Sequence, residues 1–244
     1  MSSRIYIGCA GWSIPRQYRD QFPEKGTHLE RYAARLNAVE INSSFYRSHK
    51  PETYARWAAS VPEPFRFAVK VPREITHRRK LRECSALLQQ FLGEVSGLGS
   101  KSGPLLLQLP PSLSLDLEPV AAFFHKLRRH FSGEVVCEPR HASWFTAAGE
   151  NLLQEFQISR AAVDPPPHPA AAHPGGFSAP VYYRLHGSPK MYYSEYDAQF
   201  LATLRTKLIE AASSAPVWCI FNNTASGAAF KNALEVLGEL GSGD

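Results

Sequence analysis

The chain has 244 residues, 44% of them hydrophobic and 20% charged, with a net charge of +5 at neutral pH. That composition allows a sizeable core and argues against a disordered chain. No window approaches 18 apolar residues, which excludes a membrane-spanning helix.

The N-terminal MSSRIYIGCAGW reads without an export pattern, so a cytoplasmic location is expected. Cys9, Cys84, Cys137 and Cys219 form no Cys-x-x-Cys pair, and free thiols in a reducing compartment are expected. A pI near 9.0 mildly favours an anionic partner.

In chain order, IYIGC (5–9) reads as a strand and leads to Gly11 and Trp12. HLERYAARL (28–36) is an amphipathic helix, and Thr27 with Glu30 resembles a capping box. AVEIN (38–42) is the second strand, and Pro51 opens the next helix. FRFAVKV (65–71) precedes a long amphipathic helix over 81–98. PLLLQLP (104–110) precedes a helix over 117–131 with Asp116 as its cap. EVVCEPR (134–140) and ISRAAVD (158–164) flank a short helix over 150–156. VYYRLHG (181–187) and PVWCIFNN (216–223) are the last strands, with helices over 195–213 and 226–240.

Strands alternating with helices at this spacing imply parallel pairing. Eight such units in about 250 residues match an α/β (β/α)8 TIM-like barrel, expected as one domain over residues 1–244. The stretch PPPHPAAAHPGGFSA (165–179) stands in place of the sixth helix, because proline recurs there too often for one. A doubly wound open sheet is the rival. GCAGW (8–12) lacks the third glycine and the following helix of that fold's dinucleotide turn.

In a barrel, chemistry stands at the C-terminal strand ends. The eight ends supply Trp12; Glu40 and Asn42, then Phe45 and Tyr46; Lys70, then Arg73 and His77; Gln108; Glu138, Arg140, His141 and Trp144; Asp164; Arg184 and His186; and Asn222 and Asn223. Burying such groups costs several kcal/mol, roughly, unless they are paired. A barrel built only for burial has no use for them. Alternation puts Glu40 with Asn42, Glu138 with Arg140, and Arg184 with His186 on shared faces. If those faces point inward, the mouth gathers carboxylates, guanidinium groups and an imidazole.

The stretches IYIGCAGWS, NAVEINSSFYR, FRFAVKVPREITH, LLLQLPPS, CEPRHASWF, YYRLHG and FNNTASGAAFKNAL resemble, in order and over nearly the whole chain, the YecE-like family, filed as domain of unknown function seventy-two. The resemblance implies a TIM-like barrel with a polar pocket at its top. Matched motif by motif, it implies as pocket residues the polar and aromatic strand-end side chains just named, from Trp12 to Asn223, with Phe45 and Arg73 outside the set. Cys9 stands where the family usually has Thr or Ser, and Pro139 where an aromatic is common between the Glu and the Arg. The second change stiffens the strand end without removing a polar group.

Glu40, Glu138, Asp164 and His186 are the candidate catalytic groups, with a glutamate as base and His186 as proton shuttle. Trp12, Asn42, Tyr46, Lys70, His77, Gln108, Arg140, His141, Trp144, Arg184, Asn222 and Asn223 are the candidate ligand contacts. Arginine's fork suits a phosphate or carboxylate. An inward Lys70 needs a partner or a lowered pKa; a phosphate contact is the weightier reading and a Schiff base the slighter one. Each has a structural alternative: Glu138 with Arg140 as a rim ion pair, His186 as a loop anchor, Asn42 as a turn cap.

The leading functional reading is general acid/base chemistry on a phosphorylated or polyhydroxylated small molecule. The cofactor is left open. A divalent metal on Asp164, Glu138, Glu40 and His186 is a minor reading, for no HExxH is present. Arg73, Arg78, Arg79, Lys80 and Arg82 form the densest basic patch and support a nucleic-acid partner as the second reading. A non-catalytic binding or scaffold protein is the third. The oligomeric state is open, since nothing reads as a coiled coil.

Overall fold

The structure is a computed structural model that describes residues 5–241. Its strands are β1 (Ile5–Ala10), β2 (Ala38–Ile41), β3 (Arg66–Lys70), β4 (Ser102–Gln108), β5 (Val135–Glu138), β6 (Ile158–Arg160), β7 (Ala162–Asp164), β8 (Gly175–Gly176), β9 (Val181–Leu185) and β10 (Val217–Phe221). They form one sheet in the order β7-β9-β10-β1-β2-β3-β4-β5-β6-β8. Only the β6–β8 pair is antiparallel.

The two ends of that order explain the closure. β6 and β7 are one extended stretch interrupted at Ala161; the first half pairs with β5 and the second with β9. The Ala161 N–H donates to the Cys137 carbonyl at 2.9 Å and carries the β5 ladder across the break. Taken as one strand, they complete the eight-stranded ring of a TIM-like barrel.

The helices are α1 (His28–Ala33), α2 (Pro51–Ala59), α3 (Ser85–Val95), α4 (Leu117–His130), α5 (Ala147–Glu155), α6 (Ala198–Ala212) and α7 (Ala228–Gly241). The Thr27–Glu30 capping box forms on α1. Asp116 precedes α4 but makes no cap bond; its carboxylate pairs with Arg82 at 2.7 Å instead. The helix expected over 81–98 shortens to α3 because Leu81 and Glu83 stand at positive φ, which a helix cannot include.

Odd positions such as Val39, Val69, Leu107, Cys137 and Cys219 pack between sheet and helices. Even positions such as Tyr6, Ala38, Ala68, Leu106, Val136, Tyr182 and Trp218 belong to a separate cluster inside the ring. Tyr6, Trp218 and Tyr182 share a register on β1, β10 and β9. They stack with centroids 4.6 and 6.2 Å apart and plug the N-terminal end. Gly103 leaves them room, since a Cβ there would lie 2.5 Å from the Trp218 ring.

The Pro-rich stretch holds no α-helix, only a 3-10 turn over Pro169–Ala172 and the two-residue β8. Arg160 ties it down, donating to the Ala170 and His173 carbonyls at 2.9 and 3.1 Å and pairing with Glu150 at 2.6 Å. A cavity of about 390 Å³ lies between α6, β7, β9 and Ala172 of this stretch. All four cysteines are buried and unbridged. Among the described residues no helix is long and apolar enough to cross a membrane.

Candidate active site at the barrel mouth

The run VYYRLHG puts Tyr182, Arg184 and His186 on the inner face of β9 and just past its end. Gly187 then turns the chain away at a φ of 91°, open to glycine and strained for other residues. Arg184 is fully buried and extends across the barrel. Its Nη2 and Nε donate to Glu40 Oε1 and Oε2 at 2.8 and 2.9 Å, and its Nη1 donates to Glu138 Oε2 at 3.0 Å. Tyr182, from the aromatic plug, donates its hydroxyl to Glu40 Oε2 at 3.0 Å. Glu138 Oε1 accepts from Gln108 Nε2 at 2.8 Å and from Arg140 Nη2 and Nε at 2.8 and 3.1 Å.

His186 completes the set. Its Nε2 lies 3.4 Å from Glu138 Oε1 and 3.3 Å from Arg140 Nη2, and its Nδ1 lies 3.0 Å from the Asn222 amide nitrogen. The Asn222 donor on one side and the carboxylate on the other fit the Nε2–H tautomer. Burial lowers the His186 pKa despite Glu138 beside it, so the ring is neutral at pH 7. Burial also pushes Glu138 upward, but Arg184, His186 and Arg140 together outweigh it and hold this carboxyl well below the usual range.

Lys70 differs from its neighbours. Its Nζ sits 4.0 Å from the centroid of the Phe45 ring. Among the described residues it has no hydrogen bond and no carboxylate oxygen within 4.0 Å. Burial, with Arg184 adding to it, pushes its pKa down from 10.5 to about 8, although Glu40 and Glu138 pull the other way. His77 lies 5.0 Å from the same Phe45 ring, its Nδ1 bonded to Thr76 Oγ1 at 2.9 Å. Burial, then Lys70 and Arg73, lower His77 to about 4. A cleft of about 270 Å³ adjoins Phe45 and is lined by Tyr46, Arg47, Arg73 and Arg78 among others.

The structure therefore brings together Glu40, Lys70, Gln108, Glu138, Arg140, Arg184, His186 and Asn222, with His77 at the edge. Asn42 precedes a 3-10 turn over Ser43–Phe45 without capping it, and its buried Oδ1 has no partner among the described residues. Other candidates stand elsewhere. Asp164 is in register with Leu185 and faces outward, where Tyr196 donates its hydroxyl to Asp164 Oδ1 at 2.9 Å. Asn223 follows Asn222 and so turns to the opposite face, its amide donating to the Ser194 carbonyl and Asn232. His141 caps a short turn, accepting from the Ser143 N–H at 3.2 Å. Trp144 is fully buried, its Nε1 donating to the Leu113 carbonyl at 2.9 Å. Trp12 packs edge-on against Trp57, and Tyr46 is 73% exposed beside Phe45.

Tyr182 and Phe45 are contacts the residue-by-residue reading did not assign. Tyr182 was legible as the residue two before Arg184 on one strand; nothing in the sequence set Phe45 under Lys70. Among the described residues no three His, Cys, Asp or Glu side chains come together as a metal-binding group. The basic stretch is largely paired: Arg78 and Arg79 with Glu74 at 3.1 and 3.5 Å, and Arg82 with Asp116.

Residues 6–244 match the family described as Protein of unknown function DUF72. The chain belongs to this family. The UPF0759 protein YecE of Escherichia coli (strain K12) is 34% identical over 176 residues, covering 69% of this chain and 62% of that protein. The match thus spans less than two thirds of that relative's length. A DUF72 family protein of Enterococcus faecalis aligns at a TM-score of 0.80 and 25% identity, covering 97% of this chain and 95% of its own. A sugar phosphate isomerase/epimerase of Parabacteroides distasonis aligns at 0.52 and 11% identity over 96% and 95% of the two chains, which is a likeness of fold alone.

Proposed function

We propose that the barrel mouth binds a small anionic, hydroxyl-bearing molecule, such as a phosphate ester, and performs proton-transfer chemistry on it. Charge balance carries this reading. Glu40 and Glu138 are matched by Arg184 and Arg140, and Lys70 is left as a further cation with no carboxylate within 4.0 Å. An entering anion gains Lys70 and the half-buried edge of Arg140 without displacing an existing pair. Asn42 Oδ1 and Gln108 add amide groups suited to hydroxyls.

The two glutamates act here as fixed counter-charges rather than as bases, because their oxygens are already engaged by arginines, Tyr182 and Gln108. Proton movement falls to the neutral imidazoles of His186 and His77 and to Lys70. The likeness to a sugar phosphate isomerase/epimerase agrees with this class but adds no residue to it.

The test is thermal stability with inorganic phosphate, glycerol phosphate, sugar phosphates and their uncharged parent sugars, with a chelator control. Ligand at a hundredfold excess over Kd stabilises by about 2.7 kcal/mol. A rise with the phosphorylated compounds, diminished in Arg140→Gln, is expected. Equal rises with the uncharged sugars, or none at all, would sink the anion reading.

A further inference from the structure

We propose that Lys70 is a nucleophilic amine that forms a Schiff base with an aldehyde or ketone group of the ligand in the mouth. This rests on the mouth being the substrate site and adds the reactive group that the substrate must carry: a carbonyl carbon, in a molecule that also bears an anion.

The geometry separates Lys70 from every comparable cation. Lys101 is buried to a similar degree, yet its Nζ donates to the carbonyls of Val61 and Pro62. Arg160 is held by Glu150 and two carbonyls, and Arg184 by two glutamates. Among the described residues Lys70 Nζ makes no hydrogen bond and rests on the face of Phe45. Only the neutral amine carries a lone pair, and acceptors bonded to an ammonium hold its protons in place. Lys70 has no such bond among the described residues, and its burial beside Arg184 favours the uncharged amine over the ammonium. With its pKa pushed down to about 8, about a quarter of the side chain is the neutral amine at pH 7.5. The groups facing it are Arg184, Glu40, Glu138, Arg140 and His77, and none of them binds the nitrogen directly.

The chemistry balances without an oxidant or reductant. The Nζ lone pair forms the C–N bond while the carbonyl π pair moves to oxygen. A proton passes from nitrogen to that oxygen and gives a carbinolamine. A second proton lets the oxygen leave as water as the nitrogen pair forms C=N. One amine and one carbonyl yield one imine and one water. His77, against the same Phe45 ring as Lys70, and His186, beside Glu138, are the imidazoles that relay those protons. The protonated imine keeps the positive charge that the anionic part of the substrate offsets.

The experiment is reductive trapping. The full chain is incubated with glycolaldehyde phosphate or with glycolaldehyde, treated with sodium borohydride, and read by intact mass and peptide mapping. One adduct per chain is expected, at Lys70, with every other lysine labelled at least tenfold less. Its extent rises with pH through about 8. Lys70→Arg and Lys70→Met lose it, and the mapping on wild type needs neither variant to fold. Even labelling of Lys70 and surface lysines such as Lys25 and Lys50, or no labelling, overturns the proposal. The phosphate thermal shift on the same preparation separates the two readings. A shift without trapping overturns the imine alone. Trapping by glycolaldehyde with no phosphate shift overturns the anion reading and keeps the amine.

Discussion

The mouth and the basic stretch over 73–82 use the same side chains in opposite surroundings. In the mouth, Arg184 and Glu40 are essentially unexposed and joined by two hydrogen bonds. In the basic stretch, Arg82 and Asp116 pair at 2.7 Å with more than half of each side chain in water. The distances are alike, and the energetics are not. An exposed pair trades hydration for a screened attraction and contributes little. A buried pair has given up its hydration, so removal of one partner strands the other. The lesson is that counting basic residues along a chain locates charge but not consequence.

The sharpest way to break the comparison is Arg184→Met. It leaves Glu40 and Glu138 buried without their shared partner, and a loss of about 3–5 kcal/mol in urea unfolding is expected. A loss below about 1 kcal/mol would mean that water reaches the pair and that the mouth behaves like the surface. The double variant Glu40→Gln with Arg184→Met should cost less than the two single changes added, because they share one network.

Lys70→Met sharpens the contrast in the other direction. The folded pKa near 8 lies below the ordinary 10.5, so the unfolded chain holds more protons between those values. Wild-type stability therefore rises with pH across roughly 8 to 10.5 and carries the full penalty below 8. The drop corresponds to about 3 kcal/mol. Lys70→Met is expected to gain up to that amount at pH 7 and to lose the slope, as read from unfolding curves at pH 7, 9 and 10.5. A destabilised variant with the slope intact would show that the ammonium is well paired.

The smallest effect belongs to Arg82→Ala. A change within about 1 kcal/mol is expected, and what remains should vanish in high salt as the pair is screened. A salt-independent loss of several kcal/mol would erase the distinction between the two regions.

Much of this was legible residue by residue. Glu40, Glu138, Arg184 and His186 interrupt apolar runs at a period of two with inward positions, and that pattern has few uses besides a polar barrel interior. Asn222 and Asn223 illustrate the limit: adjacent residues on a strand face opposite ways, so only one enters the mouth. Asp164 ends its strand as the others do, but ISRAAVD has small residues on both faces and does not declare its parity. Its register with Leu185 turns it outward. His141 and Trp144 follow the end of β5, where alternation no longer applies and packing of the short turn takes over.

By itself the sequence determined the eight apolar runs, their alternation with helices, the missing sixth helix and the polar character of the strand ends. These follow from local rules: side-chain period, proline chemistry and capping. Only the tertiary structure decided which ends share the mouth, and that Arg184 takes a carboxylate 144 positions away along with Glu138. Ring closure and strand register set that pairing. Among the described residues Lys70 Nζ has no carboxylate oxygen within 4.0 Å, because the closed barrel brings Arg184 and Arg140 onto Glu40 and Glu138 instead.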